Sequence, residues 1–332
     1  WYILDHNNKL IKHLIISFSL IFIVLIIDGY IQYFYKENIF GWPIQGTRLS
    51  SLFKDELILG SYLSRLLPIF FALLIITKFD KKIYKYFLFF LIFVGIETLI
   101  FLSGERAAFF FVNASSLMLI ITMKNYKIFR IVSIVTSILL IIALINFYPE
   151  SKDRIIDKTI SQSGFEKSDN NISLNSNKEG ELTQKYIFSI EHHNHYISSL
   201  KMFKDNKITG IGPRMFRFTC IKEKYNLWEG CSTHPHNTYV QLLAETGLIG
   251  FIFGLIIFTT IFSSIIKHFI FKFFKNRVVF NDYQLCLLSA ILISIWPFVP
   301  TGGFFNNWLN IIYFFPAGFY LKSIYSEKRE NI

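Results

Sequence analysis

The sequence predicts an all-α fold: a polytopic helical transmembrane bundle with one large external loop that contains an amphipathic helix. Three observations predict it. Just over half of the 332 residues are hydrophobic, 38 of them phenylalanine, and the mean hydropathy is +0.42. Apolar runs of about 20 residues, the length needed to cross a bilayer core, recur along the chain. Lysine and arginine collect on alternate connections between those runs. No soluble fold suits this pattern.

Eight runs read as membrane spans: 13–34, 57–76, 84–103, 105–122, 128–147, 236–263, 284–300 and 308–324. The connections on one side hold Lys9 and Lys12; Lys78, Lys81, Lys82 and Lys85; Lys124, Lys127 and Arg130; Lys267, Lys272, Lys275 and Arg277; and Lys322, Lys328 and Arg329. The short connections on the other side hold only Lys36, Arg48, Lys54 and Arg106. Sixteen basic residues against four place the first side, with both termini, in the cytoplasm. The net charge of +11 follows largely from this asymmetry and implies no nucleic-acid partner. The chain starts at Trp1 without Met or signal peptide, which reads as a fragment lacking an even number of upstream helices. Three segments are expected: helices one to five over 1–147, an external loop over 148–235, and helices six to eight over 236–332.

Within the loop, 161–184 is rich in Ser, Asn, Lys and Glu and is expected to be mobile. Over 186–205, Ile190, Ile197, Leu200 and Phe203 recur at helical spacing, predicting an amphipathic helix on the bundle or membrane surface. Asp205-Asn206 and the Gly210-Ile211-Gly212-Pro213 elbow then predict a tight bend. Cys220 and Cys231 both fall on the oxidising side, where a disulfide and free thiols are both open. Cys286 lies in a span and reads as packing.

The polar residues that interrupt the apolar pattern carry the functional signal, because such groups are costly in a membrane. Asp28 and Gln32 fall in the outer half of span one, Arg48 in the first external loop and Arg65 in span two. Glu97 is in the outer half of span three, and Glu105 and Arg106 cap span four. Arg214 and Arg217 follow the glycine elbow, and His236, Asn237, Gln241 and Glu245 open span six. Nearly all sit toward the external face, so the predicted site opens outward. Arginine grips phosphate oxygens in a bidentate fork and can stabilise a diphosphate leaving group. Histidine can take a proton from an attacking hydroxyl near neutral pH.

Each residue also has a structural reading. Arg106 can snorkel to headgroups, and Arg214 and Arg217 can do no more than touch them. Glu245 can be the buried partner of Arg65 or Arg106. Asn237, Gln241 and Glu245 share a stripe at i, i+4, i+8, while Gly247, Gly250 and Gly254 form a narrow face for close approach of a neighbouring helix. His192, His193 and His195 suggest a metal cluster, but only His192 and His195 share a face and no further ligand set is evident, so no metal is expected.

At this point the residues resemble a family. HNTYVQLLAETGLIG, from His236 to Gly250, is similar to the signature of the O-antigen ligase and polymerase superfamily: His-Asn, nine residues, Gly, two residues, Gly. DGYIQYF with RLSSLFKDELILGSYLSRLLP (Asp28 to Pro68), SGERAAFF (Ser103 to Phe110) and MFKDNKITGIGPRMFRFTC (Met202 to Cys220) are similar to the same family. The resemblance covers roughly 28–260. It implies a metal-independent, cofactor-free, inverting glycosyltransferase of the bacterial inner membrane, working on the periplasmic face. The donor would be a glycan on undecaprenyl diphosphate. A ligase would transfer it en bloc to a sugar hydroxyl of lipid A–core; a polymerase would join lipid-linked repeat units. Carried onto this chain, His236 becomes the base or acceptor-positioning residue. Arg106 with Arg214 or Arg217 would hold the diphosphate, Arg48 and Arg65 belong to the early arginine-bearing motif, and Asp28, Glu105, Asn237, Gln241 and Glu245 support the site. Oligosaccharyl transfer to protein, a transporter of a lipid-linked anion and a membrane scaffold are the other readings; no internal repeat of the transporter kind is evident.

Overall fold

In the computed structural model the described residues are 9–77, 82–147, 152–157 and 189–330. They form ten α-helices: α1 Lys9–Tyr35, α2 Leu59–Ile76, α3 Lys82–Leu102, α4 Arg106–Thr122, α5 Lys127–Phe147, α6 Ile190–Asp205, α7 Phe216–Thr219, α8 Thr238–Phe274, α9 Asp282–Ser294 and α10 Asn307–Glu330. Short 3₁₀ and π turns at Ser51–Phe53 and Asp153–Asp157 complete the elements. The segment 161–184 lies outside the described residues.

Each of the eight apolar runs falls on a helix. Leu10–Tyr35, Leu59–Ile76, Lys127–Asn146 and Thr238–Phe274 are long and apolar enough to cross a membrane by themselves, while Tyr86–Leu102, Arg106–Thr122 and Asp282–Ser294 are shorter apolar helices. This is an all-α, multi-pass helical membrane protein.

The chain divides into two units. The first comprises 1–151, 256–296 and 307–332. Its centre is α2, which packs against α9, α4 and α3, while α3 packs on α5 and α1. Phe70, Phe71, Leu73 and Leu74 of α2 are fully buried, so this helix is apolar all round for a physical reason: protein surrounds it. Between α3 and α5, Glu97 pairs with Arg130 in the interior, and Ser137 Oγ donates to Glu97 at 2.6 Å. Arg130 also donates to Ser133 Oγ at 2.9 Å and to Ser116. Glu97, expected among the polar groups of an outward-facing site, is thus half of a buried ion pair, the arrangement that a charge in an apolar interior requires.

The second unit comprises 152–255 and 297–306. Its small core joins Met202 of α6, Phe216 of α7, Cys220 and Ala244 of α8, with Ile211, Tyr225 and Cys231 packed around them. Cys220 and Cys231 are joined in a disulfide, their Cα atoms 5.2 Å apart.

Two predicted boundaries shift. Span seven was expected over 284–300, but α9 ends at Ser294. Pro297 and Pro300 lack the N–H a continuing helix needs, and Pro disfavours helical geometry in the residue before it, so 297–306 leaves the helix and joins the second unit. Span six was expected from 236, but α8 starts at Thr238, so His236 and Asn237 stand in the turn ahead of it.

Candidate functional site

The second unit is organised by a break in α8. At Gly247 the backbone takes φ +63°, ψ −156°, a conformation essentially restricted to glycine. A break in a helix leaves carbonyls before it and N–H groups after it without partners. The segment 207–212 supplies both. Ile211 and Gly212 donate their N–H groups to the carbonyls of Ala244 (3.0 Å) and Glu245 (2.9 Å), while the carbonyls of Lys207 and Ile208 accept from Leu248 (2.8 Å) and Ile249 (3.4 Å). A side chain has no room at this junction. A Cβ on Gly247 would lie 2.3 Å from the Ile208 carbonyl oxygen, and one on Gly210 would lie 2.3 Å from the Glu245 carbonyl carbon. The glycine face expected to receive a neighbouring helix receives at Gly247 the turn segment 207–212 instead, whose backbone satisfies the groups that the break frees.

Glu245, one residue before Thr246 and fully buried, secures the same loop. Its Oε1 accepts the backbone N–H of Phe216 at 2.8 Å and its Oε2 that of Arg214 at 2.9 Å. Gln241 Nε2 donates to Oε2 at 3.0 Å. Among the described residues the carboxylate is therefore met by the backbone amides of Arg214 and Phe216 and by Gln241, the structural one of its two readings. Amides suffice because charge-assisted bonds from N–H groups stabilise a buried carboxylate without a counter-ion.

Arg214 is held in the left-handed region at φ +63° by its bond to Glu245. Gln241 Oε1 accepts from Phe304 N at 2.8 Å, and Asn237 Nδ2 donates to Pro297 O at 2.7 Å. Asn237 Oδ1 also caps α8 by accepting from Tyr239 N and Val240 N at 3.0 and 3.1 Å. The stripe Asn237, Gln241, Glu245 thus fastens the glycine elbow on one hand and the segment 297–304 on the other.

His236 stands where these constraints meet. Its φ of +57° is uncommon for a residue with a side chain, and the Thr301 N–H holds it there by donating to the His236 carbonyl at 2.8 Å. Three other imidazoles surround its ring: that of His234 with centroids 4.1 Å apart, and those of His192 and His195 at 5.3 Å each. His192 and His195 share a face of α6 at i, i+3, their rings 6.2 Å apart. Burial, together with the neighbouring imidazoles, drives the His236 pKa down to about 3. The same burial takes His195 and His234 to about 4; the guanidinium of Arg217 adds to the effect on His234, while Glu191 opposes it at His195. At neutral pH the rings of His195, His234 and His236 are uncharged. Among the described residues, buried Nδ1 of His195, Nε2 of His234 and Nε of Arg217 have no hydrogen-bond partner. Among the described residues, no three His, Cys, Asp or Glu side chains are set to hold a metal ion.

Sequence reasoning singled out His236 and noticed the shared face of His192 and His195, but it left His234 without a role and did not join the two pairs. Nothing in the sequence spacing links α6 to the turn before α8. The Cys220–Cys231 disulfide, which separates the two segments in the chain, was the available hint.

The remaining candidate residues belong to the first unit. Asp28 is fully buried and accepts from Ile39 N at 3.0 Å, Asn38 Nδ2 at 3.4 Å and Ser51 Oγ at 2.5 Å. Gln32 Oε1 likewise accepts from Ser50 N and Ser51 N at 3.1 and 2.7 Å. Both residues of α1 pin the loop that follows it. Glu105 caps the start of α2, accepting from Gly60 N (2.6 Å), Ser61 N (3.0 Å) and Ser61 Oγ (2.6 Å). Arg48 donates to the Leu57 carbonyl at 2.8 Å, its charge acting on Glu105. Arg65 is buried between the rings of Phe111 and Tyr313, 5.0 and 5.1 Å from their centroids, and donates to Ser61 O at 3.1 Å. Arg106 opens α4.

The O-antigen ligase family model matches residues 87–255, about half of the chain, running from α3 through the large loop to the first part of α8. No curated protein and no solved structure matches the chain. The matched stretch contains Arg106, Arg214, Arg217 and the whole run from His236 to Gly250. It carries the general class of a glycosyltransferase-like membrane enzyme acting on lipid-linked glycans. By this match, and by the helical membrane architecture that surrounds it, the chain belongs to the O-antigen ligase family.

Proposed function

We propose that the protein transfers an O-antigen or related surface glycan en bloc from undecaprenyl diphosphate to a sugar hydroxyl of lipid A–core. The reaction takes place on the periplasmic face of the bacterial inner membrane and inverts the configuration at the anomeric carbon. His236 is the base that meets the acceptor hydroxyl. Arg217 and Arg214 of the loop bind the diphosphate. The observation that carries this reading is the seat of His236: a left-handed turn at the head of α8, inside the family's matched region and beside an imidazole that feels the charge of Arg217.

The chemistry follows from the groups present. As the acceptor oxygen bonds to the anomeric carbon, its proton passes to a ring nitrogen of His236. The bond from that carbon to the diphosphate oxygen breaks with its electron pair on the leaving group. Arginines beside that oxygen stabilise the growing charge without having to reorganise. A neutral imidazole keeps the lone pair that such a base needs.

Lipopolysaccharide from cells carrying His236→Ala or Arg217→Ala tests the proposal. It predicts uncapped core, with polymerised glycan still on its carrier. Core bearing a single repeat unit would assign the protein to polymerisation instead, and normal capping by both variants would remove these residues from the site.

A further inference from the structure

The four imidazoles of the second unit are arranged as one group. His236 is the hub, with rings of His234, His192 and His195 within 5.3 Å of it. They arrive from two segments: His192 and His195 from α6, His234 and His236 from the turn before α8. His195 is 5% exposed, and its Nδ1, like Nε2 of His234, is buried with no hydrogen-bond partner among the described residues. Other ring nitrogens do have partners, His192 Nδ1 with Ser189 Oγ at 2.7 Å and His234 Nδ1 with Thr233 Oγ1 at 2.9 Å. The cluster therefore has ring nitrogens both for holding its geometry and for exchanging a proton.

Among the described residues its charged surroundings are few. Glu191 on α6 acts on His195, Arg217 on α7 acts on His234, and the segment 297–306, whose Gly303 lies against the His234 ring, carries no ionisable side chain. Two positive charges about 5 Å apart at an effective dielectric near 20 disfavour each other by roughly two orders of magnitude. A first proton on the cluster thus disfavours a second. Such a proton belongs to the group and not to a single ring.

We propose that His192, His195, His234 and His236 act as one proton-accepting unit, which holds the acceptor's proton while the released diphosphate lies beside Arg217. This rests on the transfer reaction proposed above and makes His192 and His195 positioning and proton-sharing residues of it. The charges balance. The donor, a diphosphate diester with two negative charges, faces a neutral cluster. After transfer the diphosphate monoester has three, and the cluster has gained the one proton lost by the acceptor hydroxyl. Binding of the monoester by itself is therefore expected to draw a proton from solution onto the cluster.

The test uses the full chain in lipid nanodiscs and farnesyl diphosphate as the monoester. Calorimetric titration at pH 7.5 in two buffers of different ionisation enthalpy reads proton uptake on binding. Uptake approaching one proton per bound diphosphate is expected. It falls by at least half in His192→Gln, which alters a half-exposed ring and spares the buried core, and in His195→Gln, while His193→Gln leaves it unchanged. A further signature is activity: imidazole in the medium restores transfer to His192→Gly. Diphosphate binding without proton uptake, or uptake unaltered in both His192→Gln and His195→Gln, would overturn the proposal. No binding of farnesyl diphosphate by the unsubstituted protein would instead overturn the diphosphate reading beneath it.

Discussion

Gly210 and Gly247 meet backbone to backbone: a Cβ on Gly247 would come within 2.7 Å of the Gly210 nitrogen. The glycine elbow that follows α6 and Gly247 of the family signature are two halves of one junction. Through it the loop completes the broken hydrogen bonding of α8, and the residues that flank the junction, Arg214, Arg217 and His236, acquire fixed positions within the second unit.

Substitution at the junction should be severe in proportion to backbone contact. Gly247→Ala must adopt a conformation that costs about 1–3 kcal/mol and must also push the Ile208 carbonyl away. Gly254→Ala meets the end of the Leu242 side chain, which can turn aside, and the Tyr239 ring at an ordinary contact distance of 3.8 Å. Thermal unfolding in detergent is expected to show a clear loss of Tm for Gly247→Ala and a small one for Gly254→Ala. Equal effects would mean that the junction does not hold the unit together.

Removing the carboxylate that secures the loop should cost more than its exposure would suggest. Glu245→Ala strands the N–H groups of Arg214 and Phe216, each a loss of about 1–3 kcal/mol when left buried and unpaired. Glu245→Gln keeps one acceptor oxygen and should fall between Ala and the natural residue. Limited proteolysis within 207–216 reads the effect directly, with Ala cut fastest. If Gln were as protected as Glu, the paired acceptance by both oxygens would be contradicted.

The disulfide closes a loop of 11 residues, worth about 2–3 kcal/mol by chain entropy. Cys220→Ser with Cys231→Ser is expected to lower the Tm of the second unit, and a reducing agent should do the same to the natural protein and nothing to the double variant. Insensitivity of the natural protein to reduction would count against the clasp.

Acid should loosen the second unit through its histidines. His195, His234 and His236 ordinarily titrate near 6.5, and burial lowers the first two to about 4 and His236 to about 3. Between pH 6.5 and those lower values the unfolded chain binds more protons than the folded one. Stability is therefore fully present above pH 6.5 and declines as pH falls through that window. His195→Phe removes one titrating ring and should make the decline shallower. A stability profile flat from pH 7 to pH 5 would contradict the buried neutral cluster.

Much of this was legible in the sequence because the bilayer imposes a simple code. Eight apolar runs fall on eight helices, and the helical spacing of Ile190, Ile197, Leu200 and Phe203 marks α6 within a few residues of its start, but the face it buries holds His195, Ser198, Ser199 and Met202 while Leu200 is exposed. The stripe of Asn237, Gln241 and Glu245 was visible for the same reason: helical period is local. The missing parts depend on contacts that no local period reports. Glu245 takes backbone amides as partners, and backbone amides have no sequence signature. The four-histidine cluster joins α6 to the turn before α8 across a disulfide-bonded loop, and the end of α9 was misjudged because Pro297 and Pro300 sit in an otherwise apolar run.

The most direct measurement is the transfer rate of the purified protein with an undecaprenyl-diphosphate-linked glycan and a lipid A–core acceptor, comparing the natural protein with His236→Ala. A base that takes the acceptor's proton in the transition state contributes about 10²–10⁴-fold, so the variant should lose at least a hundredfold in kcat while still binding the donor. A folded His236→Ala protein that transfers glycan within about twofold of the natural rate, well short of that contribution, would contradict the account.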